Sequence, residues 1–128
     1  GTAVWTAGDA DVPGLMARVV LYDMPDAVDA DACLAALGAR LDLASDAVGG
    51  VRRYRLGARP VIEYEVREHR GVEVNQRNLH GYLYHDRACA EVHVSFIGYQ
   101  GQPHMLLERV ITSVEIVATD GTDGGDSQ

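Results

Sequence analysis

Lysine is absent from all 128 residues. Its absence removes Schiff-base chemistry, a lysine general base and the lysine of a phosphate-binding P-loop. Cysteine is scarce. Cys33 and Cys89 stand 56 positions apart, which is neither a zinc spacing nor a Cys-x-x-Cys redox pair. No apolar run approaches the roughly 18 residues of a membrane span. None of Ser45, Ser95, Ser113 and Ser127 sits in a Gly-x-Ser-x-Gly elbow, and no Gly-x-Gly-x-x-Gly loop is present. No secretory leader pattern is visible, and Gly1-Thr2 reads as the remnant of a cloned or processed start.

The formal charge is −8, and it is unevenly spread. Residues 1–50 hold eight Asp against two Arg, residues 51–88 hold eight Arg against five acids, and residues 89–128 hold one Arg against six acids. The balance argues against nucleic acid or an anionic membrane as a bulk partner. The central arginines are expected to pair with Glu63, Glu65 and Glu68. Glu63 and Glu65 themselves alternate outward and read as a solvated face.

The length suits one domain, residues 1–118, with an acidic tail at 119–128 that has nothing to bury and is expected to be disordered. Residues 1–16 are small and acidic, with Trp5 as the expected anchor, and Ala17–Tyr22 is a strand candidate. Residues 29–43 read as a helix with Asp26 or Asp29 as its N-cap and a stripe of Leu34, Leu37 and Leu41. Val51–Leu56 and Val61–His69 read as strands. The turn at Arg70-Gly71 leads into a strand ending at Tyr84, and Ala88–Ile97 completes a meander. Pairing across that turn sets Glu65 near Gln76, Glu63 near Asn78 and Ile62 near Leu79. Pro103 suits a first helical turn, and Leu106, Leu107, Val110, Ile111 and Val114 recur at helical spacing up to about Ser113. Val114–Ala118 looks like a short last strand. The expected class is α+β: an antiparallel sheet of five to six strands flanked by two amphipathic helices.

The most informative segment runs from Asn78 to Ser95. It reads as a hairpin folded at Asp86-Arg87. One face carries Leu79, Gly81 and Leu83 against Ala90, Val92 and Val94. The other carries His80, Tyr82 and Tyr84 against Cys89, Glu91 and His93. The second face is the candidate binding surface: His80, Tyr82, Tyr84, Glu91 and His93. It is expected to be either half-solvated or a hydrogen-bonded layer under a helix. Two facing imidazoles with Glu91 also raise a metal site of His80, His93 and Glu91 for zinc or copper. His85 and His104 are expected to be exposed. A Cys89–His93 nucleophilic pair would put the two Cβ atoms roughly 7 Å apart on one strand face, and a structural cysteine is the better reading.

The runs Val61-Ile-Glu-Tyr-Glu-Val66, Gln76-Arg-Asn-Leu-His-Gly-Tyr-Leu-Tyr84, Cys89-Ala-Glu-Val-His-Val-Ser95 and Leu106-Leu-Glu-Arg-Val-Ile-Thr-Ser-Val-Glu-Ile116 resemble, as a pattern of elements, families with the PsbP-like fold. The resemblance covers roughly residues 17–118. It implies an antiparallel sheet between helices, in proteins that in bacteria are often exported or lipid-anchored and without known enzymatic activity. It carries over no site residue. If the first helix lies on the histidine-bearing face, Cys33 and Cys89 share a side of the sheet and a disulfide is within reach. If both helices share the other face, the two remain separate buried thiols.

The reading that follows is a non-enzymatic exported, periplasmic or secreted domain that binds a protein or small-molecule ligand. The alternatives are a metal-binding protein using His80, His93 and Glu91, and a cytoplasmic chaperone-like accessory protein with reduced cysteines.

Overall fold

The computed structural model describes residues 2–8, 14–98 and 104–117. Its elements are β1 (Thr2–Gly8), β2 (Leu15–Asp23), α1 (Ala30–Gly38), β3 (Val48–Leu56), β4 (Arg59–His69), β5 (Val72–His85), β6 (Ala88–Ile97) and α2 (His104–Ser113). The six strands form one antiparallel sheet in the order β1-β2-β6-β5-β4-β3. The strand Thr2–Gly8 occupies what the sequence suggested only as a small, acidic lead-in. Pro103 and the tail from Ala118 lie outside the described residues.

The β5–β6 hairpin fixes the rest. A two-residue turn that follows the strand twist needs positive φ at both positions, and Asp86 and Arg87 adopt φ 45° and 67°. The strain is held locally, because the Arg87 amide donates to the Tyr84 hydroxyl at 3.1 Å and the Arg87 carbonyl accepts from the Met24 amide at 2.9 Å. The register that results sets Tyr82 against Glu91 and His80 against His93. The two faces of the hairpin are those expected from alternation.

Each face builds its own half-core. Leu79, Leu83, Ala90, Val92 and Val94 join Leu15, Val61, Phe96, Leu107 and Ile111 on the side that α2 covers. Ile62, Tyr64, Tyr82 and Cys89 join Ala27, Cys33 and Leu37 on the side that α1 covers. A helix therefore lies on each face of the sheet. The approach of α2 requires Gly81, because a Cβ there would collide with Cγ2 of the fully buried Ile111. Gly81→Ala is expected to cost about 1–3 kcal/mol by overpacking. Ile111→Val in the same chain should recover part of that loss, as read from the urea midpoint. No recovery would place the strain elsewhere.

α1 starts where the Asp29 carboxylate accepts from the Ala32 amide at 2.8 Å. It stops at Gly38, not near residue 43. A Cβ at Gly38 would sit 2.8 Å from Ile62 Cδ1, so the chain touches the sheet at that point. Leu41 and Leu43 still pack on the α1 half-core, but from the irregular segment that follows. Cys33 of α1 and Cys89 of β6 form a disulfide, with Cα atoms 5.7 Å apart.

Two local expectations are corrected. The β4–β5 pairs are Glu65 with Arg77, Glu63 with Leu79 and Ile62 with His80, each one residue from the register extrapolated out of the turn. A bulge between Val66 and Glu68 absorbs the extra residue, while the pairs next to the turn, His69 with Val72 and Glu68 with Glu73, keep the extrapolated register. The segment 114–117 forms no strand. Val114 and Ile116 instead pack against the α2 half-core.

Candidate functional site

The register brings the polar side chains of the α1 face into one network. His80 and His93 are directly paired across the hairpin, and their rings stack at 4.0 Å between centroids with 10° between planes. His80 Nε2 is 2.8 Å from the Tyr64 hydroxyl. His93 Nε2 is 2.8 Å from Asn78 Oδ1. An amide oxygen only accepts, so this contact places the His93 proton on Nε2. The Tyr82 hydroxyl donates to Glu91 Oε2 at 2.7 Å. His80 Nδ1 lies 3.4 Å from the same oxygen, within ion-pair range but without hydrogen-bond geometry. His80 and Asn78 are almost fully buried, at 4% and 2% exposure. The imidazole-bearing side is thus a hydrogen-bonded layer, buried at His80 and Asn78 and partly exposed at Glu91 and His93.

Burial sets the electrostatics of this layer. It pushes His93 down to about 3, helped by the neighbouring His80 imidazole and Arg18 against the pull of Glu91. Burial pushes the Glu91 carboxyl up, but the contacts to His80 and Tyr82 and the two imidazoles outweigh it and leave the group below its ordinary value. Tyr64 is raised to about 12, by burial first and by the Glu91 charge second. Tyr82 is raised further for the same two reasons. The phenols stay protonated and the layer donates inward.

Stacking makes the ring planes of His80 and His93 nearly parallel, so their in-plane lone pairs do not converge. Among the described residues, no group of three His, Cys, Asp or Glu side chains is arranged to hold a metal ion. The His80 and His93 rings are held to each other and to Tyr64 and Asn78, with Glu91 alongside. Cys89 cannot serve His93 as a nucleophile, because its sulfur is bonded to Cys33.

Tyr82 and Tyr84 lead to a different feature. Both line an open cleft of about 680 Å³ at the end of the sheet. Its walls are the start of α1 with Val28, Asp29 and Asp31, the β3–β4 turn with Arg55, Ala58 and Arg59, the end of β5 with Tyr84 and His85, and Glu115 and Ile116 after α2. Arg55 spans the mouth, donating to Asp31 Oδ1 at 2.7 Å and to the Ala58 carbonyl at 3.2 Å. Arg59 donates to the Ile111 carbonyl and so ties the wall to α2. Of the five candidate residues, Tyr82 and Tyr84 line the cleft and both also pack on the α1 half-core, whereas His80, Glu91 and His93 do not line it. The cleft residues Arg55, Arg59, His85 and Glu115 escape sequence reasoning. The Asp29 N-cap and the Gly57-containing turn are each legible, but nothing local says that they meet.

The opposite face holds a second polar cluster. Glu63 is 3% exposed and not solvated. It accepts from Arg52 Nη2 at 2.9 Å and Arg77 Nη1 at 3.1 Å, and His104 Nε2 lies 3.2 Å away. His104 is therefore half-buried and helps pin the start of α2. The expected pairing of the central arginines with glutamates holds for Glu63 and Glu65.

The fold and these contacts define a disulfide-stapled α+β domain with a six-stranded antiparallel sheet and a helix on each face. No family model and no curated protein matches the chain.

Proposed function

We propose that this is a non-catalytic exported domain, periplasmic or secreted, that binds a protein or small-molecule ligand in the cleft beside the start of α1. The cleft carries the reading. Its volume of about 680 Å³ falls in the range of ligand sites, about 300–1,000 Å³, and its lining mixes apolar, aromatic and charged groups. His80, Glu91 and His93 are tied by hydrogen bonds to Tyr64, Tyr82 and Asn78, and the Cys89 sulfur is bonded to Cys33. The Cys33–Cys89 bond supports export, since such bonds persist in oxidising compartments. A sheet with a helix on each face supports the PsbP-like resemblance. No helix among the described residues is long and apolar enough to cross a membrane.

Ala58 is exposed at the cleft and away from both half-cores. Ala58→Trp should fill the cleft without disturbing the fold. In amide spectra titrated with a panel of peptides and metabolites, shifts should cluster at Val28–Asp31, Ala58 and Tyr84–His85, and Ala58→Trp should abolish them. Shifts that cluster elsewhere, or that survive the tryptophan, would overturn the cleft as the binding site. Two free thiols in protein taken fresh from its own compartment would overturn export.

A further inference from the structure

The sheet ends on β3, and among the described residues no strand pairs with its outer side. β3 carries Arg52, Arg53 and Arg55 and no acidic residue. Residues 50–53 and Arg55 are exposed. The backbone of such an edge is a template for another strand. A bulge between Gly49 and Arg52 interrupts the pairing with β4, so only Arg52–Leu56 runs in regular register. That stretch leads directly to Arg55 and the turn that walls the cleft.

The charges select the occupant. This edge is basic on a chain whose formal charge is −8. A second copy of β3 would bring two sets of three arginines together, and like charges across strands repel. Arg53 and Arg55 face the α1 side, as shown by the pairing of Arg53 with Ile62 and the bond of Arg55 to Asp31. Arg52 points to the other side, where it binds Glu63 and lies over the Tyr54 ring. Arg53 has no ion-pair partner among the described residues. The other edge, β1, has no charged side chain in its sequence Thr-Ala-Val-Trp-Thr-Ala-Gly and offers an acidic segment nothing to complement.

We infer that β3 receives an extended acidic segment of a partner protein as a seventh strand along Arg52–Leu56. Carboxylates at alternate positions meet Arg53 and Arg55, and the end of the segment enters the cleft. The inference rests on the proposed binding function and names its partner class.

The test uses the whole domain and two short synthetic peptides, one alternating glutamate with valine and one alternating lysine with valine. The glutamate peptide should slow amide exchange at outward-facing groups between Arg52 and Leu56, shift Tyr84 and His85, and bind more weakly as salt rises. Arg53→Glu should weaken it by up to about fivefold, the upper end of the scale of one cross-strand charge pair, and the lysine peptide should leave β3 exchange unchanged. Arg53→Gln, which removes charge without reversing it, should fall between. Failure of the glutamate peptide to bind, protection of β1 in place of β3, or equal binding of the lysine peptide overturns the inference. Shifts confined to the cleft, with β3 exchange unchanged, overturn the added strand while leaving the cleft reading intact. That reading is decided separately by Ala58→Trp.

Discussion

Replacing Cys33 and Cys89 together by alanine is expected to lower the unfolding free energy by about 4 kcal/mol, the value the chain-entropy relation assigns to so long a loop. The bond closes a loop between positions 56 apart. Without it, the denatured chain regains the freedom that the cross-link withholds. Both cysteines are fully buried, so alanine also leaves two small voids on the α1 face. The effect should exceed that of any other single connection, because α1 has little else to hold it. It has only nine residues, and isolated helices of that length are marginal in water. Its buried side chains are Cys33 and Leu37. Urea unfolding of the wild type in reducing agent should approach that of the double variant. A loss under about 1 kcal/mol, well below the usual range for a native bond, would mean that α1 is held by packing alone.

The same bond reaches the candidate site. The start of α1 forms one wall of the cleft, through Val28, Asp29 and Asp31. Reduction should release that wall before the sheet unfolds, and α1 amides should exchange first. Loss of cleft binding on reduction, with the sheet still intact, would tie function to compartment through a single covalent link.

Much of this architecture is legible in the residues, and the failures have local causes. The two faces of the β5–β6 hairpin follow from alternation and a two-residue turn, so the opposition of His80 and His93 could be read directly. The β4–β5 register could not, because a bulge leaves no compositional mark and one extra residue moves every pair beyond it. The stripe of Leu34, Leu37 and Leu41 suggested a longer helix, but Gly38 meets Ile62 and the chain leaves helical geometry there. The alternation at Val114–Ile116 reflects packing against the half-core, not pairing, and period alone does not separate the two. The burial of Glu63 depends on Arg52, Arg77 and His104, all distant in sequence. The cleft draws on four such distant segments. Sites of that kind become visible only after the chain has folded.

Acid should destabilise this domain well above the range where exposed carboxylates titrate, and His93 should be the reason. Burial and the neighbouring His80 hold the folded imidazole down to about 3, whereas an unfolded histidine takes up its proton near 6.5. Between those values the unfolded chain binds a proton that the folded chain refuses, so stability rises with pH. The contribution is complete above about 6.5 and drains as pH falls toward about 3, to the order of 3 kcal/mol lost by pH 4. Glu91 adds in the same direction at the acid end. Its folded value is lowered, so its contribution is present above the ordinary carboxyl range and is lost as pH falls through the folded value. The groups facing His93 are His80 and Asn78 from β5, Glu91 from its own strand and Arg18 from β2. His93→Gln isolates the imidazole, because its amide can still donate to Asn78 Oδ1 but does not titrate. Urea midpoints at pH 4, 5, 6 and 7 should fall steeply with acid in the wild type and much less in His93→Gln. If the two proteins lose stability in parallel, the proton is being taken up elsewhere and the His80–His93 stack is not the acid-sensitive element of the fold.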